Sequence, residues 1–159
     1  MAKKTRGRCI IVNIVTIGGV MWRYKYEKTY ENIEKKTIWE LWSDIENWKK
    51  WNPGIKDSKL NGSFSEGSTF TLITLEGREV NLKLIEVVKE HKFVDCTQLP
   101  GAKMYGIHEI IPEKNGVRLV TIIKIEGILT FLWKRIIGNK IVQKIPQQTE
   151  NLVELAKKT

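Results

Sequence analysis

Few side chains in this 159-residue sequence are equipped for chemistry, and most of those are in two short stretches. The first, "KMYGIHEII", carries His108 with Tyr105 three positions before it and Glu109 directly after. A histidine facing a cavity can exchange a proton near neutral pH or hydrogen-bond a ligand carbonyl. Alternation along a strand sends His108 and Glu109 to opposite faces, so only one of them can line an interior. Without an evident partner, His108 equally fits a structural or surface role. The second stretch, "KFVDCTQL", places Asp95 in a run of strand-forming residues, in phase with Phe93 and Thr97 and out of phase with Val94 and Cys96. Burying an unpaired carboxylate is costly, so an outward, solvated Asp95 is the expected arrangement. Glu86, beside Leu82 and Leu84, poses the same choice. The candidate catalytic residues are therefore His108, Asp95 and Tyr105.

Metal chemistry has little support. His91 and His108 are the two histidines, and they form no HxH or HxxxH pair. Cys9 and Cys96 are far apart without CxxC spacing, which suggests free thiols in a reducing compartment rather than a zinc site or a disulfide framework. No cofactor motif is present, and no metal is expected.

Elements that could position these groups are legible from periodicity. "WRYKYEKTYE" alternates Trp22, Tyr24 and Tyr26 with charged residues, as a half-buried strand does. Helical spacing follows through Ile38, Leu41, Trp42, Ile45, Trp48 and Trp51 until Asn52-Pro53. A break near Ser43-Asp44 divides this stretch into two short helices, with either residue available to cap the second. Strand segments are expected near 55–61, 68–75, 78–89, 92–99, 102–112 and 117–126, separated by Gly, Asn and Pro turn signals. Short connections of this kind favour an antiparallel meander. Beyond Gly127 the helical period returns to the C-terminus, with Gly138 and Pro146 expected to bend or interrupt the helix.

The order is strand, two short helices, six strands and a long helix. A twisted antiparallel sheet of seven strands curls, and the last helix is the only element long enough to cover its concave face. A cavity can open where sheet and helix diverge. Its expected lining is Tyr26, Trp42, Phe70, Leu72, Leu82, Leu84, Tyr105, His108, Thr121, Ile123, Phe131, Ile137 and Ile141. In the last strand Arg118, Lys124 and Glu126 mark one face, which directs Val117, Leu119, Thr121, Ile123 and Ile125 toward the helix. Trp39, Trp42, Trp48 and Trp51 read as a structural corner, with Trp42 alone turned toward the pocket.

"TIWELWSDIENWKKWNPGI", "LNGSFSEGSTFTL", "HEIIPEKNGVRLVTI" and the terminal "IPQQTENLVELAKK" occur in that order. Together they resemble the SRPBCC superfamily of START-like helix-grip domains, and most closely its polyketide cyclase/dehydrase-like branch. The resemblance covers residues 22 to 157. It implies an α+β helix-grip fold in which a seven-stranded curled antiparallel sheet wraps a long C-terminal helix around an apolar cavity. Across the superfamily that cavity serves lipids, polyketides, sterols and other hydrophobic molecules. It does not imply a reaction, because one scaffold carries enzymes, carriers and regulators.

Residues 1–20 lie outside the resemblance. Lys3, Lys4, Arg6 and Arg8 precede an apolar run that resembles a secretory leader but is too short to span a membrane and has a weak cleavage pattern. A non-essential extension ahead of a domain at 21–159 is the favoured reading, with a cytoplasmic location, or an exported one if the leader acts as a signal. The net charge of +9 is concentrated in this leader and in residues 129–159. The central strands lack the basic-aromatic interleaving that stacks bases, so nucleic acid is not an expected partner.

Three functions remain in competition. The leading one is binding of a hydrophobic small molecule or lipid, as carrier or sensor. The second is a polyketide cyclase/dehydrase-like enzyme using a cavity acid or histidine. The third is a membrane-surface or protein-interaction module that uses the basic extension and the terminal helix.

Overall fold

A computed structural model describes residues 7–16 and 19–159, so Lys3, Lys4 and Arg6 of the basic leader lie outside the described residues. Eight strands form one sheet: β1 (Arg8–Thr16), β2 (Gly19–Glu31), β3 (Ile55–Asn61), β4 (Thr69–Thr74), β5 (Glu79–Val88), β6 (Lys92–Leu99), β7 (Ala102–Glu113) and β8 (Gly116–Glu126). The order across the sheet is β1-β2-β8-β7-β6-β5-β4-β3, with every neighbouring pair antiparallel. The expected count was seven. The eighth strand is β1, whose backbone pairs with β2 from Arg8↔Glu27 to Thr16↔Gly19 and so occupies the sheet edge.

Between β2 and β3 run helix α1 (Lys35–Ser43) and a 3-10 turn (Ile45–Lys50). The break falls at Ser43-Asp44 as expected, but neither residue caps the turn with its side chain. Ser43 Oγ instead donates back to the Trp39 carbonyl at 2.8 Å, and Asp44 accepts from Asn47 Nδ2 at 2.8 Å. The α1 stripe buries Ile38, Trp39 and Trp42. Trp48 donates its indole N–H to the Trp42 carbonyl at 2.9 Å, which locks the turn onto the helix.

After β8 the chain runs through helix α2 (Thr130–Trp133), a π-turn (Lys134–Gly138) and helix α3 (Asn139–Lys158). The interruption expected at Gly138 is this π-turn, whereas α3 continues through Pro146. Gly138 is where the helix comes closest to the sheet: a Cβ there would lie 3.1 Å from the Trp22 ring and 3.2 Å from Ile125. α3 lies against β2 and β8 and also meets α1, burying Ile145, Thr149, Leu152, Val153 and Ala156.

The interior is divided. One apolar cluster joins α1, the 3-10 turn and the C-terminal half of α3 to Phe70, Leu84, Phe93, Ile110, Val117 and Leu119. A second gathers Trp22, Tyr24, Tyr26, Ala102, Ile123, Ile125 and Ile145, with Met104, Trp133 and Ile141 packed against it. The candidate site lies where these two clusters meet on the inner face of the sheet.

Candidate functional site

Strand register brings the chemistry-bearing residues into rows on the face toward α3. Phe93, His108, Thr121 and Tyr26 lie side by side across β6, β7, β8 and β2, and the next row holds Asp95, Gly106, Ile123 and Tyr24. A third row holds Thr97, Met104, Ile125 and Trp22. Pleating gives one face to alternate residues, so the inward Phe93 and Thr97 carry Asp95 inward with them. The outward Asp95 expected from desolvation is therefore corrected.

Its carboxyl group has a polar neighbour on the next strand. Asp95 Oδ2 lies 3.5 Å from His108 Nε2, and the two side chains keep only 11% and 20% of their surface exposed. That distance is an electrostatic contact rather than a full hydrogen bond. Gly106, directly opposite Asp95, provides the room: a Cβ there would sit 2.7 Å from Asp95 Oδ2. The imidazole is held by aromatic faces, stacked on Phe93 at 4.3 Å and 12° and edge-on to Trp42 at 5.7 Å. Trp42 thus belongs both to the structural corner and to the wall beside His108.

Two further polar groups in these rows are unsatisfied. Thr97 Oγ1 and Trp22 Nε1 are buried with no hydrogen-bond partner among the described residues, although a buried donor or acceptor ordinarily finds one. His108, Thr121 and Met104 lie on central strands beneath the helical layer yet stay only part-buried. These three positions on the inner face therefore keep part of their surface accessible.

Nearer α3, Tyr30 donates to Glu150 Oε1 at 2.7 Å and Lys28 to the same oxygen at 2.5 Å. Burial pushes the Glu150 carboxyl up, but these two donors and the Lys28 charge outweigh it and hold the group below the usual carboxylate range. The same surroundings push both phenols up, Tyr30 by burial and its bond to Glu150, and Tyr26 by burial and the Glu150 charge.

An open cleft of about 600 Å³ lies elsewhere, where Asn32, Ile33, Lys35 and Lys36 meet Pro112 and Val117 of the β7–β8 hairpin. It contains neither member of the Asp95–His108 pair, so it is a corner of the surface rather than the mouth of this site.

No family model and no curated protein matches the sequence. Solved structures do. Norcoclaurine synthase from Thalictrum flavum, solved with dopamine and hydroxybenzaldehyde, matches at 13% identity and TM-score 0.69, over 91% of this chain and 96% of that one. Ara h 8.0201 matches at 9% identity and TM-score 0.67, over 87% of this chain and 99% of that one. Protein NE0264 from Nitrosomonas europaea matches at 18% identity and TM-score 0.65, over 84% and 94%. The chain has the helix-grip fold. At such identities the likeness is one of architecture.

Within the helix-grip fold the remaining expected site residues divide. Tyr26, Phe70, Leu82, Leu84 and Ile123 are buried on the inner face, with Leu72 part-buried beside them. Ile141 packs on the second cluster and Ile137 is part-buried in the π-turn. Tyr105 is a correction. It is three residues from His108, so pleating turns it to the outer face, where Lys124 lies 4.8 Å over its ring. Burial and a hydrogen bond to Glu126 push its phenol up to about 12. Phe131 is a second correction, being 52% exposed. The inward positions of α2 are taken by Thr130, bonded to the Val20 and Gly127 carbonyls, and by Trp133, bonded to the Pro100 carbonyl, which rotates Phe131 outward. Glu86 also faces out, because a bulge between Leu84 and Glu86 shifts the phase and pairs it with Lys92 at 3.2 Å.

Sequence reading missed Thr97, Trp22 and Gly106 as parts of the site, along with the Lys28, Tyr30 and Glu150 cluster. Thr97 was within reach, since it shares phase with Asp95. The others depend on which strand pairs with which.

Proposed function

We propose that this protein binds a hydrophobic small molecule carrying at least one hydrogen-bonding group, between the sheet and α3 and against the Asp95–His108 pair. The observation that carries this reading is the group of inner-face polar side chains where the two apolar clusters meet: Asp95 and His108 in contact, His108 and Thr121 still part-exposed, and Thr97 Oγ1 with no partner among the described residues. Apolar walls supply affinity by dehydration: burying about 300 Å² of ligand contributes about 7 kcal/mol gross, before association and ordering costs. Asp95, His108 and Thr97 then fix orientation, as a few polar groups do in most small-molecule sites. A carrier or sensor needs nothing more.

The Asp95–His108 contact also favours a second reading, an enzyme of the polyketide cyclase/dehydrase kind. A carboxyl group beside an imidazole held between apolar rings is suited to moving a proton on a bound substrate. The likeness to norcoclaurine synthase, solved with dopamine and hydroxybenzaldehyde, supports a catalytic use of this architecture.

Native mass spectrometry of the purified protein, before and after organic extraction, tests binding. The expected result is a co-purifying molecule or stoichiometric uptake of an added amphiphile, abolished by Thr121→Phe, which puts a ring beside His108. A protein that takes up no amphiphile would remove the reading. Ligand binding that survives His108→Leu with turnover lost would favour the enzyme. Turnover undiminished in both His108→Leu and Asp95→Asn would exclude that assignment.

A further inference from the structure

The segment that turned Phe131 outward exposes a run of apolar side chains. Ile128 is 84% exposed, Phe131 52%, Leu132 48% and Ile136 40%. The segment is nonetheless pinned: Thr130 Oγ1 bonds the Val20 and Gly127 carbonyls, Leu129 N–H bonds the Gly101 carbonyl, and Trp133 Nε1 bonds the Pro100 carbonyl. A backbone held this firmly presents its apolar residues in a fixed outward arrangement. Exposed apolar residues grouped in this way mark an interaction surface.

Charge identifies the partner. Lys134, Arg135, Lys140 and Lys144 follow the apolar run, and no acidic residue occurs between Glu126 and Glu150. Arg135, Lys140 and Lys144 are exposed, and none of the four bases forms an ion pair among the described residues. Within α3, Lys140 and Lys144 are four residues apart and so share one side of the helix that follows the apolar run.

We propose that residues 128–136, with Arg135, Lys140 and Lys144, dock this protein on an anionic membrane surface. Apolar side chains at the tip enter the boundary of the acyl region while the bases behind them meet lipid phosphates, the arrangement that holds interfacial helices. A second copy of the chain fits this face poorly, because a two-fold contact would bring the same bases, Arg135 and Lys140 above all, together. The residues of this surface are separate in the sequence from Lys3, Lys4 and Arg6, and the inference does not depend on what the interior binds.

Vesicle co-sedimentation of the full chain tests it, with phosphatidylcholine vesicles prepared with and without phosphatidylserine. Three variants accompany the wild type: Phe131→Asp with Leu132→Asp, Arg135→Glu with Lys140→Glu, and a deletion of residues 1–6. Circular dichroism melting establishes that each is folded. The wild type should bind the phosphatidylserine vesicles and lose binding as salt rises, and each substituted pair should weaken it about tenfold or more. Deletion of residues 1–6 should leave the loss on substitution intact. Four results would overturn the proposal: no binding to either vesicle, equal binding to both, full binding by the substituted pairs, or loss only on the deletion. A dimer in light scattering that Phe131→Asp with Leu132→Asp dissolves would also overturn it, by showing that a second copy covers the face.

Discussion

Two stretches rich in large apolar residues, "TIWELWSDIENWKKW" and "GILTFLWKRIIG", meet opposite fates in this fold. In the first, Trp39, Trp42, Trp48 and Trp51 are all at least 92% buried; the first three meet Phe64, Phe93 and Phe70 edge-on, and Trp51 packs on Trp48. In the second, Thr130 and Gly138 are buried while Phe131 and Leu132 face solvent. Hydrophobicity therefore does not decide burial along this chain; what decides it is whether a helical stripe meets the sheet in phase. At the tryptophan corner α1 lays its stripe on the inner face. At the other end Thr130 and Trp133 fix the phase by hydrogen bonds to loop carbonyls, and the larger side chains are left outside.

The strongest way to break this contrast is at the corner. Trp48→Ala removes a ring packed on Trp51, Phe70 and Phe93 together with the bond to the Trp42 carbonyl. Urea denaturation should show a loss of about 3–5 kcal/mol. A loss no larger than that of an exposed residue would mean that the corner does not hold the fold together.

Between the two ends lies the Asp95–His108 pair, and Gly106 tests how tightly it is built. Gly106→Ala places a methyl against the Asp95 carboxylate and should cost about 1–3 kcal/mol. Shortening the facing side chain in Asp95→Ala should recover most of that loss in the double variant, a coupling that melting curves of the four proteins resolve. Additive losses would show that Asp95 already has room to move.

Asp95 also shows what could and could not be read in advance. Strand positions were legible because turn residues and period-two alternation are local: 55–61 and 92–99 coincide with β3 and β6. The inward Val117, Leu119, Ile123 and Ile125 of β8 were legible for the same reason. Asp95 was expected outside because the cost of burial was reckoned without a partner. The partner, His108, is on another strand, and the room beside it comes from Gly106; both are facts of register that no local window contains. Tyr105 is different. The alternation that separates His108 from Glu109 separates it from Tyr105 as well, so that error lay in applying the rule, not in its reach. Phe131 was out of reach, since its phase depends on Trp133 finding the Pro100 carbonyl across the β6–β7 turn.

Acid should weaken the attachment of α3 to β2. Glu150 is held below the usual carboxylate range in the folded state by Lys28 and Tyr30, against the opposing effect of burial. A depressed folded value stabilises above the unfolded value of about 4.3, and that stabilisation is lost as pH falls through the folded one. Solvent reaches part of this pair, which limits the effect to about 1 kcal/mol or less. Glu150→Gln should therefore flatten the fall in melting temperature below that pH. An unchanged acid limb would place the acid sensitivity elsewhere.

The smallest expected effect falls on the exposed end and sharpens the comparison most. Phe131→Ser with Leu132→Ser removes two large apolar side chains, a change that at the tryptophan corner would unfold a substantial fraction of the protein. Here both rings and branches already contact water, with 52% and 48% of their surface exposed. Folding gains little from them, and urea denaturation should shift by about 0.5 kcal/mol or less. A loss of several kcal/mol would mean that these side chains contribute to the packing of α2 and the π-turn. A near-zero change would place them among residues whose apolar character the fold does not need, leaving contact with something outside the chain as the physical reason for it.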